Sequence, residues 1–472
     1  ATQALNSGDT IDVSFSYTLK DKDGDTVTKE VSFAINGAND TAGVSFDAGT
    51  GPDAGKVYEH GLESVADTSE TTGGKITVTA TDGVASVTLG TDTYDLAHLD
   101  GQTVDTGKGV LKVTGHTVSA DGKTVEITYS YTLSAAQTHA DGAGNNTVQD
   151  SITVGVTGAG GSTDSGTLHV TIVDDVPVAA DHLNVGTVTE DAPTNHVEGS
   201  VLGAGSGSDY GADGAAASGA LAWGTAVATK GSATVNLSDY GHLDQNPDGT
   251  WKFTLDNTKP ATQALNSGDT IDVSFSYTLK DADGDTVTKE VSFSIDGAND
   301  VPTIVVPNVP QLQGVNAVVT EESLTHGIAD GTGSPDGDHS SSASFTGTIT
   351  VGDPDTSVSS LTLSLGAGVT AAQGPGSGGD AIANLTSHGH TVHWTVDGSG
   401  KLVGYTGTLN GGDYHEVLTV QLAAGDTDAS RGYTVTLHDT LDHPENSVED
   451  VIDLKIPVTV SDGDLSAGTT IT

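Results

Sequence analysis

Short stretches in which apolar and polar residues alternate run through the whole chain. Residues 11–19 read IDVSFSYTL, with an apolar side chain at every odd position. A period of two places these side chains on one face of a β-strand and leaves Asp, Ser and Thr on the other. Similar runs recur about every 8–12 residues between Gly-, Asn-, Asp- and Ser-rich turns, and no long segment has helical periodicity. The pattern predicts an all-β protein of packed antiparallel sheets.

An internal repeat shows how the chain is divided. Residues 1–40 recur at 261–300 with three substitutions. A strip this short cannot form a complete sandwich, so we interpret it as half of a domain whose full counterpart ends near residue 300. Together with the acidic linkers near 40, 175 and 300, the repeat predicts tandem β-sandwich domains of the immunoglobulin or cadherin kind. The predicted units are a C-terminal half-domain (1–41), a sandwich repeat (42–178), a complete copy of the repeated domain (179–300) and a longer sandwich that is a candidate ligand-binding domain (301–472).

Charge and composition exclude several functions. The chain has 472 residues, 64 acidic and 16 basic, for a net charge of −48, so binding to nucleic acid is not expected. It has no Cys, which excludes disulfides and thiolate chemistry. It has no Met, so we expect it to be a piece of a longer protein. No apolar run of about 18 residues is present, so no membrane-spanning segment is predicted.

The acidic residues are strongly biased towards aspartate, with 51 Asp and 13 Glu. Aspartate favours turns, and its short carboxylate suits calcium, which takes about six to eight oxygen ligands. The alternative is that the charge only keeps the protein soluble, but glutamate would serve that purpose equally well. The bias therefore favours Ca²⁺ as a bound ion.

The most informative local motif is an Asp-X-Asp-Gly-Asp sequence that directly follows one strand and precedes another. Three carboxylates so spaced can turn towards one point, where a cation would relieve their mutual repulsion. The alternative interpretation is an exposed acidic hairpin turn. The predicted calcium ligands are Asp281, Asp283 and Asp285, with Asp21, Asp23 and Asp25 in the other copy.

A second set of candidate ligands lies at the linkers. A Val-X-Glu sequence follows each linker by about 15–21 residues, and we infer from this spacing that its glutamate pairs with the carboxylates of the linker before it. Calcium bound there would turn a flexible hinge into a rigid joint, whereas plain solvated linkers are the alternative. The candidates are Asp40, Asp174, Asp175 and Asp300 in the linkers, and Glu59, Glu190, Asp191, Glu321 and Glu322 in the domains that follow.

Other motifs point to structure rather than chemistry. Residues 244–249 resemble the opening of an EF-hand loop, but Leu255 occupies the position of its final Glu, so we predict a hairpin turn with Trp251 as a core anchor. The run from His388 to His393 could place two imidazoles on one strand face, and an exposed polar strand is expected there rather than a zinc site. No P-loop, nucleophile elbow or H-E-x-x-H motif is present, so no catalytic residue is predicted and the protein is not expected to be an enzyme.

Three segments resemble known repeat families. Residues 179–300, with VTEDAP at 188–193, DGTWKFTLDN at 248–257 and DADGD at 281–285, resemble the VCBS repeat of giant bacterial surface adhesins. Residues 301–472, with LDHP at 441–444 followed by IDLKIPVTVSDGD, are similar to a repeat of type I secretion substrates, and 42–178 is a weaker match. The resemblance implies an RTX-type adhesin that is secreted through a type I system and folds in external calcium. The nonapeptide repeats of such proteins are absent from this chain.

With the acidic motifs, this resemblance implies a calcium-rigidified extender at the bacterial cell surface, which projects an adhesive tip for attachment and biofilm formation. Its expected partners are calcium and further repeats of the same chain. One alternative is that 301–472 binds a surface glycan or peptide through its long loops at 331–342 and 373–381. The other is that strand edges in 1–40 pair with a second chain in a fibre.

Overall fold

The predicted all-β fold is confirmed by the structure, a computed structural model that describes residues 5, 7–63, 67–140, 142, 144–310, 312–325, 327, 342–374, 379–425, 427–443 and 451–472. Its described residues form 34 strands, and no helix among them is long and apolar enough to cross a membrane. The helices within the described ranges are short 3-10 turns at Glu59–Glu63, Leu96–His98 and Leu237–Asp239.

The chain begins with an isolated hairpin. Its strands are β1 (Thr10–Lys20) and β2 (Thr26–Asn36), which pair antiparallel over their full length. No other strand in the described part of the chain joins this two-stranded sheet.

The first sandwich packs two five-stranded sheets around one core. Its sheet orders are β3-β5-β10-β9-β8 and β4-β12-β11-β6-β7. The strands are β3 (Ala42–Asp47), β4 (Lys56–Tyr58), β5 (Thr71–Ala80), β6 (Val84–Leu89), β7 (Asp92–Asp95), β8 (Thr103–Asp105), β9 (Gly109–Val118), β10 (Thr124–Leu133), β11 (Thr147–Gly158) and β12 (Thr163–Val173). Alternate residues of β5, β10, β11 and β12 point inward, as the period-two pattern predicted.

The second sandwich packs a six-stranded sheet on a three-stranded one. The larger sheet has the order β13-β21-β20-β16-β17, with β15 also paired to β20, and the smaller has the order β14-β19-β18. The strands are β13 (Thr187–Thr189), β14 (His196–Ser200), β15 (Leu221–Trp223), β16 (Val227–Lys230), β17 (Ala233–Val235), β18 (Gly241–Gln245), β19 (Thr250–Leu255), β20 (Thr270–Lys280) and β21 (Thr286–Asp296).

The third group of strands forms a six-stranded sheet, a five-stranded sheet and a small hairpin. Its main core and a small satellite core lie within 301–472. The strands are β22 (Thr303–Val305), β23 (Ser344–Gly352), β24 (Thr362–Leu365), β25 (Thr370–Gln373), β26 (Ala381–Ile382), β27 (Thr386–Ser387), β28 (His390–Thr391), β29 (His393–Val396), β30 (Leu402–Thr406), β31 (His415–Leu422), β32 (Ser430–Leu437), β33 (Ile452–Ser461) and β34 (Ser466–Ile471).

Two copies of one sequence differ in what covers them. Strands β20 and β21 pair in the same register as β1 and β2. Phe275 and Phe293 are each 2% exposed because Trp251 and Phe253 of the smaller sheet pack against them, whereas Phe15 and its partner strand have no such cover. Phe15 is 56% exposed, so this hairpin shows the face that a second sheet normally buries.

The turn predicted at 244–249 is confirmed. It joins β18 to β19, and the Asp248 carboxylate accepts hydrogen bonds from the backbone N–H and hydroxyl of Thr250. Trp251 is 2% exposed and stacks on Phe293. The histidine run is not one regular strand, because His388 has a φ of 50° in the turn between β27 and β28.

Parallel pairing of a short strand with the last strand of its sandwich decides where the Val-X-Glu segments lie. β4 pairs parallel with β12, and β13 pairs parallel with β21. In each sandwich the glutamate that follows the short strand therefore lies beside the end of the last strand. That end leads into the next linker.

Candidate metal centre

Six carboxylates and one imidazole meet where the first sandwich joins the second. Glu59 begins the 3-10 helix after β4, Asp174 follows β12, and Asp213 lies in the loop before β15. The other members come from the loop before β11 and from the turn between β20 and β21. They are His139, Asp281, Asp283 and Asp285.

The Asp281–Asp285 turn holds its carboxylates in a fixed arrangement. Asp281 Oδ1 accepts hydrogen bonds from the backbone N–H of Gly284 at 2.9 Å and of Asp285 at 2.7 Å. Gly284 has a φ of 105°, a conformation that glycine adopts without a Cβ clash. The turn leaves Oδ2 of Asp281, Oδ2 of Asp285 and both oxygens of Asp283 without a hydrogen bond.

Three overlapping groups of donor atoms follow from this arrangement, and within each group the donor atoms lie within 4.8 Å of one another. Two residues, Asp174 and Asp283, each belong to two groups, so they can bridge neighbouring ions. The groups are Glu59, His139 and Asp174; Asp174, Asp213 and Asp283; and Asp281, Asp283 and Asp285.

Both sandwiches contribute to the centre and are hydrogen-bonded across it. The Gly144 N–H donates to Asp285 Oδ1 at 3.0 Å, and the Ala212 N–H donates to Asp175 Oδ2 at 2.9 Å. Residue Asp175, predicted as a ligand, thus secures the loop that carries Asp213. Any ion held by Asp174 and Asp283 would be bound by two domains at once.

The carboxylates are buried, and the protein supplies too few hydrogen-bond donors and positive charges to offset the cost of removing them from water. Glu59, Asp174 and Asp281 are fully buried, Asp283 is 8% exposed, and neither oxygen of Asp174 or Asp283 accepts a hydrogen bond. Burial raises the pKa of Asp174 to about 7, and the Asp283, Asp213 and Glu59 carboxylates add to the shift while His139 opposes it. Burial and the Asp283 carboxyl likewise raise the pKa of Asp281 to about 7.

This donor set fits a hard cation. Calcium prefers about six to eight oxygen ligands, and buried carboxylates are normally paired or bound to metal. Among the described residues, His139 is the single basic side chain in an ion pair with any of the six carboxylates. Bound cations would both coordinate the carboxylate oxygens that accept no hydrogen bond and neutralise their charge.

The raised pKa values predict an unusual pH dependence for the metal-free protein. A buried carboxyl with a pKa near 7 retains a proton that the unfolded chain releases near pH 4, so its stabilising contribution is full below about pH 4 and is lost as the pH rises through 7. We expect the metal-free protein to melt several degrees higher at about pH 5 than at about pH 8. Circular dichroism melts across this range test the sign, with and without calcium. A melting temperature that rises with pH in the absence of metal would contradict the prediction.

A second acidic cluster lies between the second and third sandwiches. Burial, together with the neighbouring Asp300 and Asp191, raises the pKa of Glu190 to about 7, although Ala298 N–H and Gln263 donate to it. Burial also raises the pKa of Asp353 to about 6. Burial and the Asp191 and Asp355 carboxylates raise the pKa of Asp300, and the Asp300 N–H donates to Asp355 Oδ2 at 3.3 Å, so carboxylates of both sandwiches meet here too.

The remaining predicted ligands lie apart from these two clusters. One turn of the hairpin brings donor atoms of Asp21, Asp23 and Asp25 within 4.8 Å of one another, but the three residues are exposed, because no described part of the chain covers that turn. Asp40 accepts a hydrogen bond from the Thr81 hydroxyl. Glu321 and Glu322 belong to none of the candidate donor groups found among the described residues.

The pairing inferred from linker spacing is wrong. We expected each Val-X-Glu glutamate to meet the linker before it, yet Glu59 lies beside Asp174, and Glu190 beside Asp300. The physical reason is the parallel pairing of the short strand before each glutamate with the last strand of the domain, which carries the glutamate to the far end of its own domain. Glu321 likewise stays within its domain, where it accepts from the Leu441 N–H at 2.6 Å.

Four residues of the two clusters were missed by the sequence reasoning. Asp353 and Asp355 follow β23 directly as an Asp-Pro-Asp, the same strand-then-Asp-X-Asp signal that identified Asp281 and Asp283. His139 and Asp213 lie in irregular loops with no such pattern. Their positions depend on how the loops fold over the domain end.

No protein-family model matches the chain, and no curated protein matches it. Among solved structures, the chain is similar to the protocadherin gammaB4 extracellular domain, with 13% identity over 97% of this chain and 55% of that one and a TM-score of 0.29. The protocadherin gammaB7 EC3-6 cis-dimer gives 13% identity, 98% and 83% coverage and a TM-score of 0.29. The N-terminal eight Ig domains of Down Syndrome Cell Adhesion Molecule give 10%, 97% and 39% coverage and 0.20. The chain thus spans about half of the first of these structures, and at such TM-scores its function must be inferred from its own residues.

Proposed function

We propose that this chain is a calcium-rigidified extender of a secreted bacterial surface adhesin. The observation that carries the proposal is the junction of the first two sandwiches, where fully or nearly fully buried carboxylates from both domains lack hydrogen bonds. Two domains that share ligands for one ion group cannot rotate freely about their linker. The domains then act as one stiff rod segment.

Calcium is the ion that this chemistry favours. The two donor groups that contain Asp283 offer only oxygen donors. The Asp281–Asp285 turn holds its three carboxylates so that one oxygen of each lies within 4.8 Å of the others. Without the ion, six carboxylates in a buried cluster repel one another. The metal-free junction is therefore expected to open, and calcium binding supplies part of the folding free energy.

The extracellular location and the adhesin context rest on the sequence resemblance. A chain with a charge of −48 would stay expanded at low cytosolic calcium and fold after secretion through a type I system. A role in attachment and biofilm formation follows if such domains hold an adhesive tip away from the cell. The partners would be calcium and further repeats of the same chain.

A glycan- or peptide-binding module in 301–472 is a second proposal, with less structural support than the extender. Most of its first loop, 331–341, and the middle of its second, 375–378, lie outside the described residues. A self-assembling fibre is also left open by the exposed apolar face around Phe15. Neither alternative requires the buried carboxylates of the junction.

Distance measurements between spin labels test the extender proposal. The chain has no cysteine, so labels attach only where cysteine is introduced. We expect the distance distribution between Thr117→Cys and Thr250→Cys, on exposed strands of the two sandwiches, to be narrow in calcium and several-fold broader in chelator. The matched pair Thr117→Cys and Ser151→Cys lies within one sandwich and should stay narrow in both. An inter-domain distribution that ignores calcium would contradict a rigid joint.

A further inference from the structure

One of the three donor groups at the junction differs chemically from the others. Glu59 and Asp174 are joined there by His139, and the side chains of all three are fully buried. Calcium binds oxygen and makes little use of imidazole, whereas zinc and similar transition metals favour mixed nitrogen and oxygen donors. This group therefore does not suit the ion that suits its neighbours.

The hydrogen bonds around the imidazole fix which nitrogen carries the proton of the neutral ring. The Asn146 amide donates from Nδ2 to the Ala140 carbonyl at 3.1 Å, which turns its Oδ1 towards His139 Nδ1 at 2.8 Å. Because Oδ1 can only accept, Nδ1 carries the proton, and the lone pair of the neutral ring lies on Nε2. This is the support that metal-binding histidines normally have, with one ring nitrogen held by a neighbour and the other left for the metal.

The other ring nitrogen, Nε2, faces a carboxylate oxygen that already accepts a hydrogen bond. Nε2 lies 3.0 Å from Glu59 Oε1, which accepts the Gln137 N–H at 2.8 Å. Two lone pairs at this distance need a proton or a metal ion between them. Glu59 Oε2 and both oxygens of Asp174 accept no hydrogen bond and are available as further ligands.

We propose that Glu59, His139 and Asp174 form a zinc-type subsite, distinct from the oxygen-only calcium groups and joined to them through Asp174. Three protein ligands from one imidazole and two carboxylates match the donor number of an open zinc site, with a fourth position for water. The inference rests on the proposed function only in placing cations at this junction. It adds a second metal chemistry, so that the joint responds to zinc as well as to calcium.

Equilibrium dialysis of the full chain against Zn²⁺ in saturating calcium tests the proposal. We expect about one tightly held zinc per chain, a loss of at least about 100-fold in affinity in His139→Gln, and a loss of about 10-fold or more in Asn146→Ala. The matched control is His98→Gln, which removes an exposed histidine paired with Asp95 and should leave zinc binding unchanged. Calcium-dependent melting should persist in His139→Gln, which separates failure of this subsite from failure of the calcium proposal.

Zinc X-ray absorption on the wild-type chain provides a readout that does not depend on any variant folding. One imidazole in the zinc shell supports the subsite. A shell of oxygen only, no zinc retained in saturating calcium, or equal zinc affinity in His139→Gln would overturn it, and His139 would then be a protonated counter-ion for the carboxylates.

Discussion

Removing calcium from the full chain is expected to lower the melting temperature of the first two sandwiches by about 10 °C or more. An ion present at about 100 times its dissociation constant stabilises the folded state by about 2.7 kcal/mol, and two such ions add about 5 kcal/mol. A change of about 1 kcal/mol shifts the melting temperature by about 2–4 °C in domains of about 150–250 residues, and by more in smaller domains such as these. The loss is enlarged by repulsion among Asp174, Asp281 and Asp283, because both oxygens of Asp174 and Asp283 and Oδ2 of Asp281 accept no hydrogen bond. Differential scanning calorimetry in calcium and in chelator measures it.

Two controls give this result its meaning. Adding excess calcium back to the chelated sample should restore the calorimetric trace recorded in calcium, which separates metal loss from irreversible unfolding. Magnesium should restore much less, because it demands a near-ideal octahedron and gives up its water reluctantly. If the calcium and chelator traces coincide, the acidity serves solubility alone and the proposed joint does not exist.

The fold was predictable because its signals are local. A period of two in segments such as 11–19 specifies strands, and Asp248-Gly249 before Trp251 specifies a hairpin turn with a core anchor. The choice of partner strand is a long-range property. Val57 pairs in parallel with Ile172, and nothing near residue 57 in the sequence indicates that partner. For this reason the glutamates were predicted as ligands, but assigned to the wrong end of their domains.

The candidate centre shows the same difference between local and long-range signals. The Asp281–Asp285 turn builds its own geometry from adjacent residues, so the sequence could indicate it. Asp213 and His139 reach the centre through loops whose paths depend on packing between domains. The exposed copy at residues 21–25 makes the point directly. The same five-residue motif has the same internal hydrogen bonds there, yet no neighbour covers it. Burial, which gives the carboxylates their need for a cation, is set by the neighbouring domain.

The two copies supply a matched pair of variants, Asp283→Asn and Asp23→Asn. Asp283 belongs to two donor groups, so its loss should weaken two ions at once and remove more than half of the calcium-induced rise in melting temperature. Asp23 lies at the equivalent position of the exposed turn and should leave that rise unchanged. Calorimetry of both variants with and without calcium makes the comparison.

The sign of the effect in chelator distinguishes a metal ligand from a merely structural aspartate. In the metal-free protein, Asp283→Asn removes one of several buried like charges beside Asp281 and Asp174, so it should melt at the same temperature as the wild type or higher. In calcium it should melt lower, because a shared ligand is missing. A structural aspartate would destabilise the protein equally in both conditions, and equal effects of Asp283→Asn and Asp23→Asn would show that burial at the junction has no part in calcium binding. A variant that melts no lower than the wild type in chelator but lower than it in calcium is therefore the expected signature of carboxylates that are held together for an ion.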